Sequence, residues 1–161
     1  AAGPVVRHAA REGDAVTLAH VAANCPNLQW HSATLRGSLG ESAVHIAAAA
    51  GRTDILRWLI EKRASVNDQD MEGETPLHYA ALTGEVEAVQ HLIVLRADAE
   101  LRSFSRETPL DVAWQNPAFF CGVADGVVAN ALRDAPPAHG RRTHAALLGG
   151  RSQASAACVT S

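Results

Sequence analysis

The chain has 161 residues, 47% of them hydrophobic, and a formal net charge of −3, enough for one domain with a real core. The near-neutral balance lacks the basic face of a nucleic-acid-binding domain, and no apolar run approaches the roughly 18–20 residues of a membrane-spanning helix. Aromatics are only 4% of the residues, so Ala, Leu and Val must fill the core, and side chains that small suit helices stacked with their backbones close together.

Taken in chain order, the first element is a helical stretch around Arg7-His8-Ala9-Ala10-Arg11-Glu12, stopped by Gly13. A second such segment, Ser42-Ala43-Val44-His45-Ile46-Ala47-Ala48, is closed by Gly51, 38 residues after Gly13, so about five extra residues sit in the first connection between Asn24 and Leu39. Residues 53–62 then place Ile55, Leu56, Leu59 and Ile60 on one helical face. Thr75-Pro76-Leu77-His78-Tyr79-Ala80-Ala81 follows 33 residues after the Ser42 segment, and Gly84 follows Gly51 by the same interval. Thr75 is an N-cap that accepts from an orphan amide, Pro76 costs no donor at the first helical position, and Gly84 tolerates the left-handed turn that ends the helix. Residues 85–95 repeat the apolar face with Val86, Val89, Leu92 and Ile93. Thr108-Pro109-Leu110-Asp111-Val112-Ala113 begins one more unit 33 residues after Thr75, with a closing helix predicted at about 125–133. Between the helix pairs, turn-rich stretches lead to the next Thr-Pro as extended fingers.

A period near 33 residues with Thr-Pro-Leu-His-x-Ala resembles the ankyrin repeat family. The resemblance covers residues 4–133 and implies an all-α helical solenoid, a right-handed stack of about four helix pairs with short β-hairpin fingers. The units run at about 4–36, 37–69, 70–102 and 103–133, the outer two degenerate as terminal repeats require. Arg63 and Arg96 stand where the family often has glycine, and in the last unit Asp111, Arg106 and Pro117 replace the motif histidine, the turn glycine and the helix-ending glycine, with Phe119-Phe120-Cys121-Gly122 as extra sequence. Beyond Asp134 come Pro136-Pro137, Gly149-Gly150 and a Ser/Ala-rich end, so residues 134–161 are expected to form a disordered tail, with Ala145-Ala146-Leu147-Leu148 its one helical docking motif in the alternative reading.

The chemistry of catalysis is missing from this pattern. There is no HExxH, no tight His/Cys group, no G-x-S-x-G elbow and no phosphate loop before the only lysine, Lys62, so the reading is a non-enzyme without metal or cofactor. The resemblance gives His45 and His78 a structural role in bonding between neighbouring repeats. Cys25, Cys121 and Cys158 are odd in number and irregularly spaced, and are read as reduced thiols of an intracellular protein, cytoplasmic or nuclear. The N-terminus has no secretory signal pattern, and with Ala1 first and Met71 the only methionine the chain reads as a processed or excised piece.

The family also implies a concave binding face made of finger tips and first helices. Its register selects Ser38, Leu39, Glu41, Ala49 and Ala50 in the second unit, and Met71, Glu72, Glu74, Leu82 and Thr83 in the third. In the fourth it selects Phe104, Ser105, Glu107, Gln115 and Asn116. Leu39, Met71 and Phe104 are apolar residues at turns, at the same or adjacent register, and a contiguous patch of that kind marks an interaction site. The alternating acids Asp68, Asp70, Glu72 and Glu74 form either a solvated hairpin or an acidic rim that steers a basic partner. Trp58 belongs to the core or the neighbouring unit, Trp114 is a bulky closure of the stack, and Trp30 either packs over the insertion or reaches a ligand. Asn67, with Leu59 eight residues before it and Val66 directly before it, is similar to sites hydroxylated in ankyrin repeats, although Ser65 replaces the usual acid. The expected function is therefore a regulatory or adaptor module binding a protein or peptide, a monomer or part of a larger chain, touching neither nucleic acid nor membrane. The alternative is a structural subunit that assembles through its ends.

Overall fold

A computed structural model describes residues 2–30, 35–115 and 125–135, without the side chains of 125–127. The described residues form eight helices: α1 Ala2–Glu12, α2 Ala15–Asn24, α3 Ala43–Ala49, α4 Thr53–Glu61, α5 Pro76–Thr83, α6 Val86–Val94, α7 Pro109–Gln115 and α8 Asp125–Arg133. The helices pair in chain order. First helices α1, α3, α5 and α7 pack one on the next, and α4, α6 and α8 form a second row behind them.

Local chemistry explains where these helices begin and stop. Thr75 holds extended backbone before Pro76, and Gly84 ends α5 in the left-handed region at φ 78°. Asp14 caps α2 by accepting the amides of Val16 and Thr17, and a bond from the Thr17 hydroxyl, then those from the two amides, hold its carboxyl below the usual range. The corners after α4 and α6 are made by Arg63 and Arg96, at φ 68° and 66°, where a glycine would carry no steric cost.

The core is what the composition requires. Ala47, Ala80 and Ala113, spaced by 33 residues, are all fully buried where the first helices meet. Leu56, Leu59, Leu77, Val89 and Leu92 fill the layer between the two rows. Trp30 is buried as well, edge-on to Trp58 with ring centroids 5.0 Å apart, so the insertion is closed over the stack by an aromatic pair. Lys62 lies over the other ring, 5.5 Å from the centre of Trp58.

The fingers are shorter than hairpins. No strand occurs among the described residues, and each finger is a tight turn closed by two backbone bonds, the outer of which spans four residues. Gly37 donates to Glu41, Asp70 to Glu74 and Ser103 to Glu107, at 2.8, 3.0 and 2.9 Å. Adjacent fingers share one backbone–backbone bond each, Met71 N–H to the Leu39 carbonyl and Phe104 N–H to the Glu72 carbonyl, both 2.9 Å. One bond per neighbour aligns the tips without making a ladder.

At the far end Trp114 stands where Ala48 and Ala81 are fully buried in the preceding units, and 51% of it is exposed. The tail from residue 136 onward lies outside the described residues, as do Asn116, the Phe119-Phe120-Cys121-Gly122 segment and Cys158.

Candidate partner-binding surface

Two buried histidines set the fingers against the helices. His45 Nδ1 accepts the Ser42 amide at 3.1 Å and faces the Ser42 hydroxyl at 2.9 Å, while Nε2 lies 3.0 Å from the Glu74 carbonyl of the next unit. His78 repeats the arrangement with Thr75 and, one unit on, the Glu107 carbonyl at 3.0 Å. An amide donates to Nδ1, so that nitrogen is bare, and the proton on Nε2 donates to the carbonyl. Burial lowers both pKa values, because a charged imidazolium loses its water there.

Asp111 occupies the same register in the last unit and keeps only the local half of the device. Its carboxylate accepts the Thr108 amide at 2.9 Å and the Thr108 hydroxyl at 2.7 Å, and these bonds lower its pKa. This shorter side chain caps its own helix.

A second brace recurs inside each finger. Arg36 donates to the Gly40 carbonyl at 2.9 Å, Gln69 to Gly73 at 2.9 Å and Arg102 to Arg106 at 2.8 Å, in each case four residues on. Arg36 also donates to the Gln69 carbonyl and pairs with Asp68. Sequence reading missed these three residues, although a long polar side chain at a 33-residue interval was the signal available.

The acids of the third finger divide into two groups. Asp68 is committed to Arg36, and Asp70 is buried, accepting the amides of Glu72 and Glu74 and the Tyr79 hydroxyl at 2.8 to 2.9 Å. These two hold the turn in shape. Burial, then the bond to Asp70, pushes the Tyr79 hydroxyl far up. Glu72 is exposed and Glu74 half-buried. Burial and then the charges of Asp70, Glu72 and Glu107 raise the Glu74 carboxyl.

The register residues fall on one surface. Leu39, Met71 and Phe104 are 55%, 70% and 74% exposed at the tips of successive bonded fingers. Met71 rests on Gly40 and the Phe104 ring on Gly73, where an added Cβ would come within 2.8 Å of the ring. Only glycine permits that approach, and Arg106 takes the equivalent place in the last finger. Leu82 is 45% exposed, and Ser105 is exposed beside Phe104. Glu41 and Glu107 are partly occupied: Glu41 Oε2 accepts the Leu39 amide at 2.9 Å, and Glu107 Oε1 accepts from Gln115 at 2.6 Å. Behind the second finger a cavity of about 350 Å³ is lined by Leu39, Glu41, Ile46, Ala49, Ala50, Tyr79 and Arg11.

A family model described as ankyrin repeats in three copies matches residues 6–103. The chain belongs to the ankyrin repeat family. No curated protein matches the sequence. The matched span ends at the fourth finger, and α7 and α8 extend the ankyrin stack by one more helix pair beyond it. In this ankyrin chain Asn67 holds a corner in place, its Oδ1 accepting the Asp98 amide of the next unit at 2.9 Å from a half-buried position. Among the described residues no group of three or more His, Cys, Asp or Glu is placed to hold a metal, and no helix is long and apolar enough to cross a membrane.

Proposed function

We propose that this chain is a non-catalytic interaction module that binds a protein or peptide through its finger tips and concave face, in a regulatory or adaptor role. Ankyrin repeats generally serve as protein–protein interaction modules and are typically non-catalytic. The observation that carries the reading is the run of Leu39, Met71 and Phe104, three large apolar side chains exposed on fingers that backbone bonds hold side by side. Glu72, Glu74, Ser105 and Glu107 around them supply the polar rim of an interface. Asn67 remains a candidate modification site within this reading, and hydroxylation would show as an added oxygen on its peptide by mass spectrometry.

The test compares the full chain with Phe104→Ala and Met71→Ala in quantitative capture of cellular proteins and in thermal melts. Both variants are expected to melt within about 3 °C of the parent, as exposed substitutions do. Both should lose capture of a common partner, with affinity falling by about 1–3 kcal/mol in a purified complex. Large losses of stability with intact capture would refute the reading. Mass that rises with concentration, with no partner captured, would favour the assembly alternative.

A further inference from the structure

The ends of the first helices present unequal side chains along the concave face. Arg11 stands in the first unit, Ala49 and Ala50 in the second, Leu82 and Thr83 in the third, and Gln115 in the fourth. Two alanines between an arginine and a leucine make a notch, and the cavity of about 350 Å³ lies there. That size is at the low end of ligand pockets, which run from about 300 to 1,000 Å³, and admits one bulky side chain rather than a folded surface. Its lining is mostly carbon. Ile46, the two alanines, Leu39 and Tyr79 line it, and the Tyr79 hydroxyl is spent on Asp70.

The surroundings carry the opposite character. Glu41 lies at the notch, and Glu74 follows it at the same register in the next finger, with Glu72 and Glu107 nearby. Arg36–Asp68 is the single ion pair among the described residues, and it leaves these four glutamates without a cation. Glu74 is half-buried among three other acids, which is unfavourable for its charge until a positive group arrives. Arg11, at the other edge of the notch, limits the cationic site to the side facing the later fingers.

We infer that the partner presents a peptide segment with one bulky apolar side chain and a nearby lysine or arginine, the apolar group filling the notch beside Ala49 and Ala50 and the cation meeting Glu74. The inference rests on the interaction-module reading and adds the chemistry of its ligand. Charge complementarity selects this occupant. A second copy of the chain, itself acidic with a net charge of −3, would meet the same glutamates with the wrong sign.

A library of random peptides displayed on phage and panned on the full chain tests this directly. Enriched sequences should share a Leu, Ile, Met, Phe or Trp with Lys or Arg within a few positions. Synthetic copies of them should bind Ala50→Leu, which fills the notch, about tenfold or more weakly, in the range of a lost anchor. Glu74→Gln should weaken binding several-fold and flatten its dependence on salt. Circular dichroism confirms folding of each variant, and Leu39→Ala provides a second notch variant should Ala50→Leu misfold. Enriched peptides that are acidic or lack an apolar residue would overturn the inference. So would basic peptides that lose affinity for Phe104→Ala but bind both notch variants normally, while leaving the interaction-module reading intact. An absence of any enrichment would sink both.

Discussion

Replacing His78 with alanine is expected to cost this protein about 3–5 kcal/mol, a large part of the roughly 5–15 kcal/mol that holds a domain together. The imidazole is fully buried and joins three groups: the Thr75 amide at 3.1 Å, the Thr75 hydroxyl at 2.8 Å and the Glu107 carbonyl at 3.0 Å. Alanine leaves an amide and a carbonyl without partners, each a penalty of about 1–3 kcal/mol, and adds a cavity where the ring was. His78→Asn separates the contributions. Its shorter side chain can still accept at Thr75, as Asp111 does at Thr108, but falls short of the next finger. It should lose about half as much. Urea unfolding followed by far-ultraviolet circular dichroism gives both values from the shift in midpoint. Because His78 ties the third unit to the fourth, amide exchange should quicken first in residues 103–115, as expected when stability is a sum over neighbouring repeats. A loss under about 1 kcal/mol for His78→Ala would refute the reasoning. So would an asparagine variant as damaged as the alanine one.

Acid should destabilise the stack through the same residues. Burial depresses His45 and His78 below the unfolded value of about 6.5, so the folded state binds fewer protons. Their contribution is then complete above about pH 6.5 and is lost as pH falls from there through the folded values. Urea midpoints between pH 8 and pH 5 check this, and a flat profile across the lower half would contradict the burial of neutral rings. Arg63→Gly and Arg96→Gly should each raise stability by about 0.5–1 kcal/mol, by relieving a left-handed backbone that costs an L-residue about that much or more. A fall in midpoint for either variant would mean that its side chain makes a contact worth more than the strain.

How much of this was legible beforehand depends on where each signal is written. Thr75, Pro76 and Gly84 declare a helix to any reader, because capping and left-handed turns are decided within a few residues of chain. The 33-residue recurrence then carried that local grammar into a stack, and the apolar residues at finger register, Leu39, Met71 and Phe104, were visible as exceptions to it. Tertiary structure alone decided which polar residues are spent. Asp68, Asp70 and Glu72 read alike in sequence, yet one pairs with Arg36, one is buried under Tyr79, and one faces solvent. The carbonyl partners of Arg36, Gln69 and Arg102, the reach of Asn67 to Asp98, and the closure of Trp30 on Trp58 were hidden for the same reason. Most of these bonds end on backbone carbonyls and amides, which nearly every residue possesses, so the partner leaves no mark in the sequence. The notch beside Ala49 and Ala50 is hidden in a further way, since an alanine reads as core or as gap according to what the neighbouring units place around it. A cavity is a property of several chain segments at once, and only packing reveals it.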